Sequence, residues 1–135
     1  MSEESTNSIE YAKEIVGRDP MAAFLDITVE EVRYGFARCS LIIKPEYLNA
    51  LNRAHGIAIH AVADQAFAVA ANSMENKAIA LNFHINYAVG ASEGERLISE
   101  ARPLHIGKKV SIWRIEVKGS EERLIASCEG VAYHK

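Results

Sequence analysis

Cysteine is scarce in this 135-residue chain: only Cys39 and Cys128 occur, without Cys-x-x-Cys spacing and with no cluster of metal ligands around either. That argues against a disulfide framework and a thiolate metal site, and each cysteine falls in a strand-like stretch that suits a buried, reduced thiol. Excess positive charge is missing as well. The formal net charge of −3 offers no general basic field for nucleic acid. No secretory signal opens the chain, because MSEESTNSIE is polar and acidic where such a segment is basic and then apolar. Nor is there a long apolar run: Gly56 to Ala71 is interrupted by His60, Asp64 and Gln65, and a membrane span needs about 20 predominantly apolar residues. Repeats, low-complexity tracts and linkers are also lacking. These absences point to a cytoplasmic protein with a single domain over residues 1–135 and neither nucleic acid nor membrane as partner.

What is present is an ordinary globular composition, 49% hydrophobic and 24% charged, enough for one real core. Residues 8–17 carry apolar positions at helical spacing, so residues 1–18 form an N-terminal helical extension. Asp19-Pro20 resembles an N-cap followed by proline at N1, opening a short helix. Strand-like runs follow at Ile27–Tyr34 and Phe36–Ile43, split by Gly35. Gly56 to about Ser73 is helical and apolar almost all round, the mark of a helix buried on most sides. Four more strand-like runs come after it, Ala78–Tyr87, Glu95–Leu104, Lys109–Lys118 and Arg123–Tyr133. Strands in succession without helices between them imply an antiparallel sheet. The expected class is α+β, an antiparallel sheet wrapped around a long central helix, the hotdog architecture.

Asp64 is the odd residue in that helix. It is the only acid between Glu46 and Glu75 and lies among Ala61, Val62, Ala63, Ala66 and Phe67. A buried carboxylate is costly, so it needs either structural partners or a catalytic purpose. His55-Gly56 stands where the helix begins. A helix start carries unpaired N–H groups and glycine permits close approach, so the pair suits an oxyanion hole for acyl transfer, or else a simple helix cap. Gly56 and Asp64 are eight residues apart, or about 12 Å along one helix. They cannot touch one carbonyl group in the same subunit. If they share a site, it lies between two antiparallel copies.

The stretch Asn49–Asn72, NALNRAHGIAIHAVADQAFAVAAN, resembles the signature of PaaI-type (phenylacetate-degradation) hotdog thioesterases. That signature has an asparagine, a short loop, His-Gly-Gly, and Ala-Asp-Thr-Ala-Phe near the helix centre. The upstream DPMAAFLDITVEEVRYGFARCSLIIKPEYLN and the later ASEGERLISEARPLHIGKKVSIWRIEV and LIASCEGVAYH fit the same family. The resemblance implies hydrolysis of an acyl-CoA to a carboxylic acid and free CoA, with Asp64 as nucleophile or general base. It gives Gly56 the oxyanion N–H, and His55 and Asn49 the positioning of thioester or water. It also implies a homodimer or homotetramer with interfacial sites. No metal or separate cofactor is implied, coenzyme A being part of the substrate.

Two departures stand beside it. Ile57 replaces the second glycine and bears on the acyl pocket, while Gln65 follows the aspartate in place of a hydroxyl residue and either positions water or weakens catalysis. Asn82 in the next strand is a further polar substrate-side candidate. Lys108 and Lys109, with Arg102 and Arg53, are candidates for the CoA phosphates, or simply solvated cations. The acyl group is open between phenylacetyl, another aromatic group and a medium chain. A non-catalytic acyl-CoA-binding module is the alternative, and a hotdog dehydratase fits less well because its proline- and glycine-containing histidine motif is missing.

Overall fold

The computed structural model describes residues 2–135. Helix α1 spans Glu3–Tyr11 and passes into a single π turn at Ala12–Val16. The helix begins earlier than the apolar periodicity predicts. The Ser2 side chain accepts from Ser5 N, and Glu3 and Glu4 occupy the first turn, where a helix favours negative charge. Those polar residues are invisible to a search for an apolar face. Asp19 caps α2, Pro20–Leu25, as expected, its carboxylate accepting from Ala22 N at 2.9 Å.

The six strands are β1 Thr28–Arg33, β2 Phe36–Ile42, β3 Ala78–Tyr87, β4 Arg96–Ile106, β5 Val110–Lys118 and β6 Leu124–His134. They form one sheet in the order β1-β2-β4-β5-β6-β3, and every pairing is antiparallel. Helix α3, Gly56–Ala71, connects β2 to β3 and lies in the sheet's concave side. The α+β hotdog architecture read from the element order is therefore the observed one. Gly35 turns β1 into β2 with a φ of 72° and donates its N–H to Ser73 Oγ just beyond α3. Cys39 and Cys128 are buried and unpaired. Among the described residues no helix is long and apolar enough to cross a membrane.

Alternation along β5 explains how the sheet holds the helix. Ser111, Trp113, Ile115 and Val117 are buried, while Ile112, Arg114, Glu116 and Lys118 face the other side. Val62, Phe67 and Val69 of α3 are fully or almost fully buried against that inner face, each burial contributing about 1.5–3 kcal/mol. Ser99 Oγ donates to the Val62 carbonyl at 2.7 Å and pins helix to sheet. At the far end Asn72 bonds Ala68 O, Ala78 O and Ala78 N, joining the end of α3 to the start of β3.

Helix and sheet approach most closely at Gly130 of β6, where a Cβ would stand 2.9 Å from the Phe67 ring. Gly130→Ala should therefore destabilise the protein by about 1–3 kcal/mol, the usual cost of overpacking a core. Urea unfolding midpoints measure this, and an unchanged midpoint would show that Phe67 moves aside without cost.

Candidate active site

Six strands do not close around α3. Ile57 is 71% exposed, and His60, Ala61, Asp64 and Ala68 are half-buried on the same face, the spacing of neighbours along a helix. The helix is thus buried on most sides, and Asp64 sits in the middle of the stripe that remains.

At the start of that stripe His55 is the N-cap, its Nδ1 accepting from Ile57 N at 3.0 Å while its own N–H donates to Tyr47 O at 2.7 Å. A neutral imidazole accepting at Nδ1 carries its proton on Nε2 and keeps that donor for another partner. The Gly56 N–H has no hydrogen-bond partner among the described residues. This helix start can therefore present a backbone donor and a ring donor to an incoming oxygen. The cap does not exclude the donor role that was its alternative in the sequence: His55 spends one nitrogen on the cap and leaves Gly56 N–H free.

Asp64 lies beside a cleft of about 100 Å3 between the second half of α3 and the first residues of β3, lined by Phe67, Ala68, Ala71, Ala78 and Ala80 among others. Burial pushes its carboxyl above the ordinary aspartate range; His60 partly opposes this, and Asp19 adds to it. No ion pair neutralises it among the described residues. A half-buried carboxylate held without a cation is primed to take a proton.

The other residues singled out from the sequence are distributed unevenly. Asn49 builds the loop before α3: its Oδ1 accepts from Leu51 N and Arg53 N at 2.9 and 3.1 Å, and its N–H donates to Arg53 O. Gln65 is buried and turned away from the stripe, its Nε2 donating to Val16 O in the π turn at 2.8 Å, because successive helical residues point about 100° apart. Asn82 is also turned away. Ala78, Ala80 and Phe83 pair with the buried His134, Ala132 and Gly130, so a bulge between Ala80 and Asn82 puts Asn82 with Val131 on the outer face. Lys108 and Lys109 are exposed in the β4–β5 turn, at the sheet end near Met74 and Glu75 and opposite the Gly56 end. Arg102 lies over the Phe36 ring and bonds Glu100, and Arg53 bonds Ser92 Oγ.

One contact escaped the sequence reading: Tyr87, the last residue of β3, donates its hydroxyl to the Gly56 carbonyl at 3.2 Å. Its only sequence signal was an aromatic closing a strand. Along β3, then, Asp64 lies beside the beginning and Gly56 beside the end.

Because burial raises the Asp64 pKa, ionisation is harder in the folded chain than in the unfolded one. As pH rises from the ordinary aspartate value through the raised one, the unfolded chain releases its proton first and stability falls. Asp64→Asn removes that cost. The variant should unfold at a higher urea concentration than the parent at pH 7, and the difference should close below about pH 4. A variant less stable than the parent at pH 7 would show instead that the carboxylate is structurally paired.

The Thioesterase superfamily model matches residues 51–126, which carry α3, β3, β4, β5 and the beginning of β6. A protein of Archaeoglobus fulgidus, provisionally designated an esterase, is 39% identical over 115 residues, covering 85% of this chain and 75% of its own length. Acyl-coenzyme A thioesterase PaaI of Escherichia coli is 28% identical over 115 residues, 85% of this chain and 82% of that protein. The solved structure of E. coli PaaI, from the phenylacetic acid degradation operon, superposes with a TM-score of 0.91 at 26% identity over 97% of this chain and 95% of that one. A second E. coli protein, 1,4-dihydroxy-2-naphthoyl-CoA hydrolase, is 27% identical over 83% of this chain and 84% of its own length. The likeness runs through the helix, the cleft and the strands that flank it, and it places the chain in the thioesterase superfamily as a hydrolase of the PaaI-type hotdog group.

Proposed function

We propose that this enzyme hydrolyses an aromatic acyl-CoA to the carboxylic acid and free CoA, at two composite sites in a homodimer. The observation that carries the proposal is the unpaired Asp64 on the open stripe of α3, with a free Gly56 N–H on the same helix about 12 Å away. Neither group alone makes an acyl-transfer site.

The free edge of the sheet supplies a way to join them. β3 is an edge strand, with Asp64 beside its beginning and Gly56 beside its end. Two such edges pairing antiparallel about a twofold would set each Asp64 next to the partner's Gly56, and the same pairing would satisfy both edges. It would also bring Lys108 and Lys109 to the end where the partner's helix begins, within reach of CoA phosphates. Two such dimers make the tetramer. At each site Asp64 takes a proton from water as the water oxygen bonds to the thioester carbonyl carbon, or Asp64 itself bonds to that carbon to give an anhydride that water then hydrolyses. In either case the carbonyl π bond opens to an oxyanion. The oxyanion leans on Gly56 N–H, with His55 Nε2–H beside it, and the C–S bond breaks to release the CoA thiolate, which then takes up a proton. The aromatic class is supported by the two E. coli relatives, one encoded with phenylacetic acid degradation and one named for a naphthoyl-CoA. Alanines 68, 71, 78 and 80 keep the cleft beside Asp64 open for a flat group.

Hydrolysis of phenylacetyl-CoA, benzoyl-CoA and octanoyl-CoA, followed by free-thiol release, tests the substrate class: the aromatic thioesters should have the higher kcat/KM, and a preference for octanoyl-CoA would overturn that choice. Asp64→Asn should lose at least about a hundredfold in kcat with the fold intact. Near-parental turnover in this variant would remove Asp64 from the chemistry. The composite site is tested by complementation. Asp64→Asn subunits exchanged with His55→Ala/Gly56→Ala subunits should regain activity, since one of the two sites in each heterodimer is built from intact halves. No recovery after confirmed exchange, or an active monomer, would sink the shared-site arrangement.

A further inference from the structure

The Gly56 N–H must keep its direction if it is to bind an oxyanion, yet its local structure favours motion. The first turn of a helix lacks the i−4 bonds that hold later turns, and glycine has the widest backbone freedom of any residue. With no side chain, Gly56 also makes no packing contact of its own.

Tyr87 supplies what is missing. It closes β3, opposite Ala126 of β6, and its ring reaches across to the start of α3. A Cβ at position 56 would stand 3.2 Å from the Tyr87 hydroxyl oxygen, 3.3 Å from Cζ and 3.5 Å from Cε1. The phenol thus packs tightly against the place where a side chain would begin, and an added methyl would have to push it by a few tenths of an ångström. Its hydroxyl donates to the Gly56 carbonyl at 3.2 Å. That carbonyl belongs to the peptide joining Gly56 to Ile57, whose N–H is already held by His55 Nδ1 at 3.0 Å. One peptide plane is therefore gripped at both ends, its oxygen by Tyr87 and its N–H by His55. Fixing that plane fixes ψ of Gly56 and limits the rocking of the preceding N–H. Burial, and secondarily Cys128, raises the phenol's pKa, so the hydroxyl remains a donor well into the alkaline range.

We propose that Tyr87 is a positioning residue: its phenol clamps the Gly56–Ile57 peptide so that the Gly56 N–H stays aimed at the developing oxyanion. This rests on the reading of Gly56 as the oxyanion donor. It adds that a side chain at 56 would crowd the tyrosine ring, besides obstructing the approach of substrate.

The test uses the full chain and the best substrate of the acyl-CoA panel. Tyr87→Phe keeps the ring and removes the hydroxyl; kcat should fall about five- to tenfold, the scale of one lost hydrogen bond, with KM little changed. Gly56→Ala should cost more kcat in the parent than in a Tyr87→Ala background, where the ring no longer meets the added methyl. Equal penalties in the two backgrounds, or a Tyr87→Phe effect confined to KM, would overturn the clamp. Amide hydrogen exchange gives a readout free of activity. In Tyr87→Phe the amide of Ile57, held by His55 Nδ1, should exchange about tenfold faster while sheet amides keep their rates. Should the parent hydrolyse none of the thioesters, the thioesterase reading fails by itself. The exchange comparison still decides the clamp, and an unchanged rate at Ile57 would reject it.

Discussion

A sheet of six strands can wrap a helix on most sides but cannot surround it, and the arrangement of this protein follows from that geometry. The inner face of the sheet must meet α3 closely enough to exclude water. It does so through small helix residues such as Ala63, Ala66 and Ala70, and through Gly130, where the Phe67 ring nearly touches the β6 backbone. Close approach on the sheet side leaves the opposite side of the helix open. There the chain keeps Ile57, His60, Ala61, Asp64 and Ala68 partly or fully in contact with solvent. The groups proposed to carry out the chemistry lie on this stripe or where it starts.

The bulge in β3 is a second consequence of fitting helix to sheet. Ala78 and Ala80 pair with buried residues of β6 on one side of the irregularity, and Phe83 and Ile85 do so on the other. Without the extra residue Leu81, one of these two groups would point outward, since a strand's faces alternate strictly. The bulge lets small alanines form the cleft beside Asp64 while an aromatic ring packs against His60, 4.8 Å between centroids. Strand β3 thus serves helix positions that need opposite things, room at Asp64 and contact at His60.

Much of this was legible in the sequence. The helix read over Gly56 to about Ser73 runs from Gly56 to Ala71, the alternation through Trp113 matches β5, and the lone acid among alanines singled out Asp64 as a candidate. What escaped depends on three-dimensional parity and long-range contact. Asn82 read as a substrate-side candidate, and the one-residue bulge that turns it outward leaves no trace in the hydrophobic pattern. Gln65 read as a neighbour of the chemistry because adjacency along a helix is not adjacency in space. Asn49 read as positioning thioester or water, and the pattern did not show that its carboxamide oxygen also closes the loop that leads into α3. Tyr87 was overlooked because its partner is 31 residues away in sequence and is a backbone carbonyl.

Asp64 and Gln65, side by side in the chain, show how the fold separates structure from chemistry. Gln65 is the more deeply buried, and its carboxamide reaches a backbone carbonyl of the π turn, so its desolvation is offset by a hydrogen bond. Asp64 is less buried but has no such partner, and burial, with a smaller push from Asp19, drives its carboxyl upward against the opposing effect of His60. On structural grounds alone an uncharged amide would suit the poorly solvated stripe at position 64 better than a carboxylate. The observed order holds a proton acceptor at the edge of an alanine-walled cleft and uses its neighbour to tie down the N-terminal segment. The instability carried by Asp64 is therefore local to the stripe, where the sheet gives no cover and where the proposed chemistry is placed.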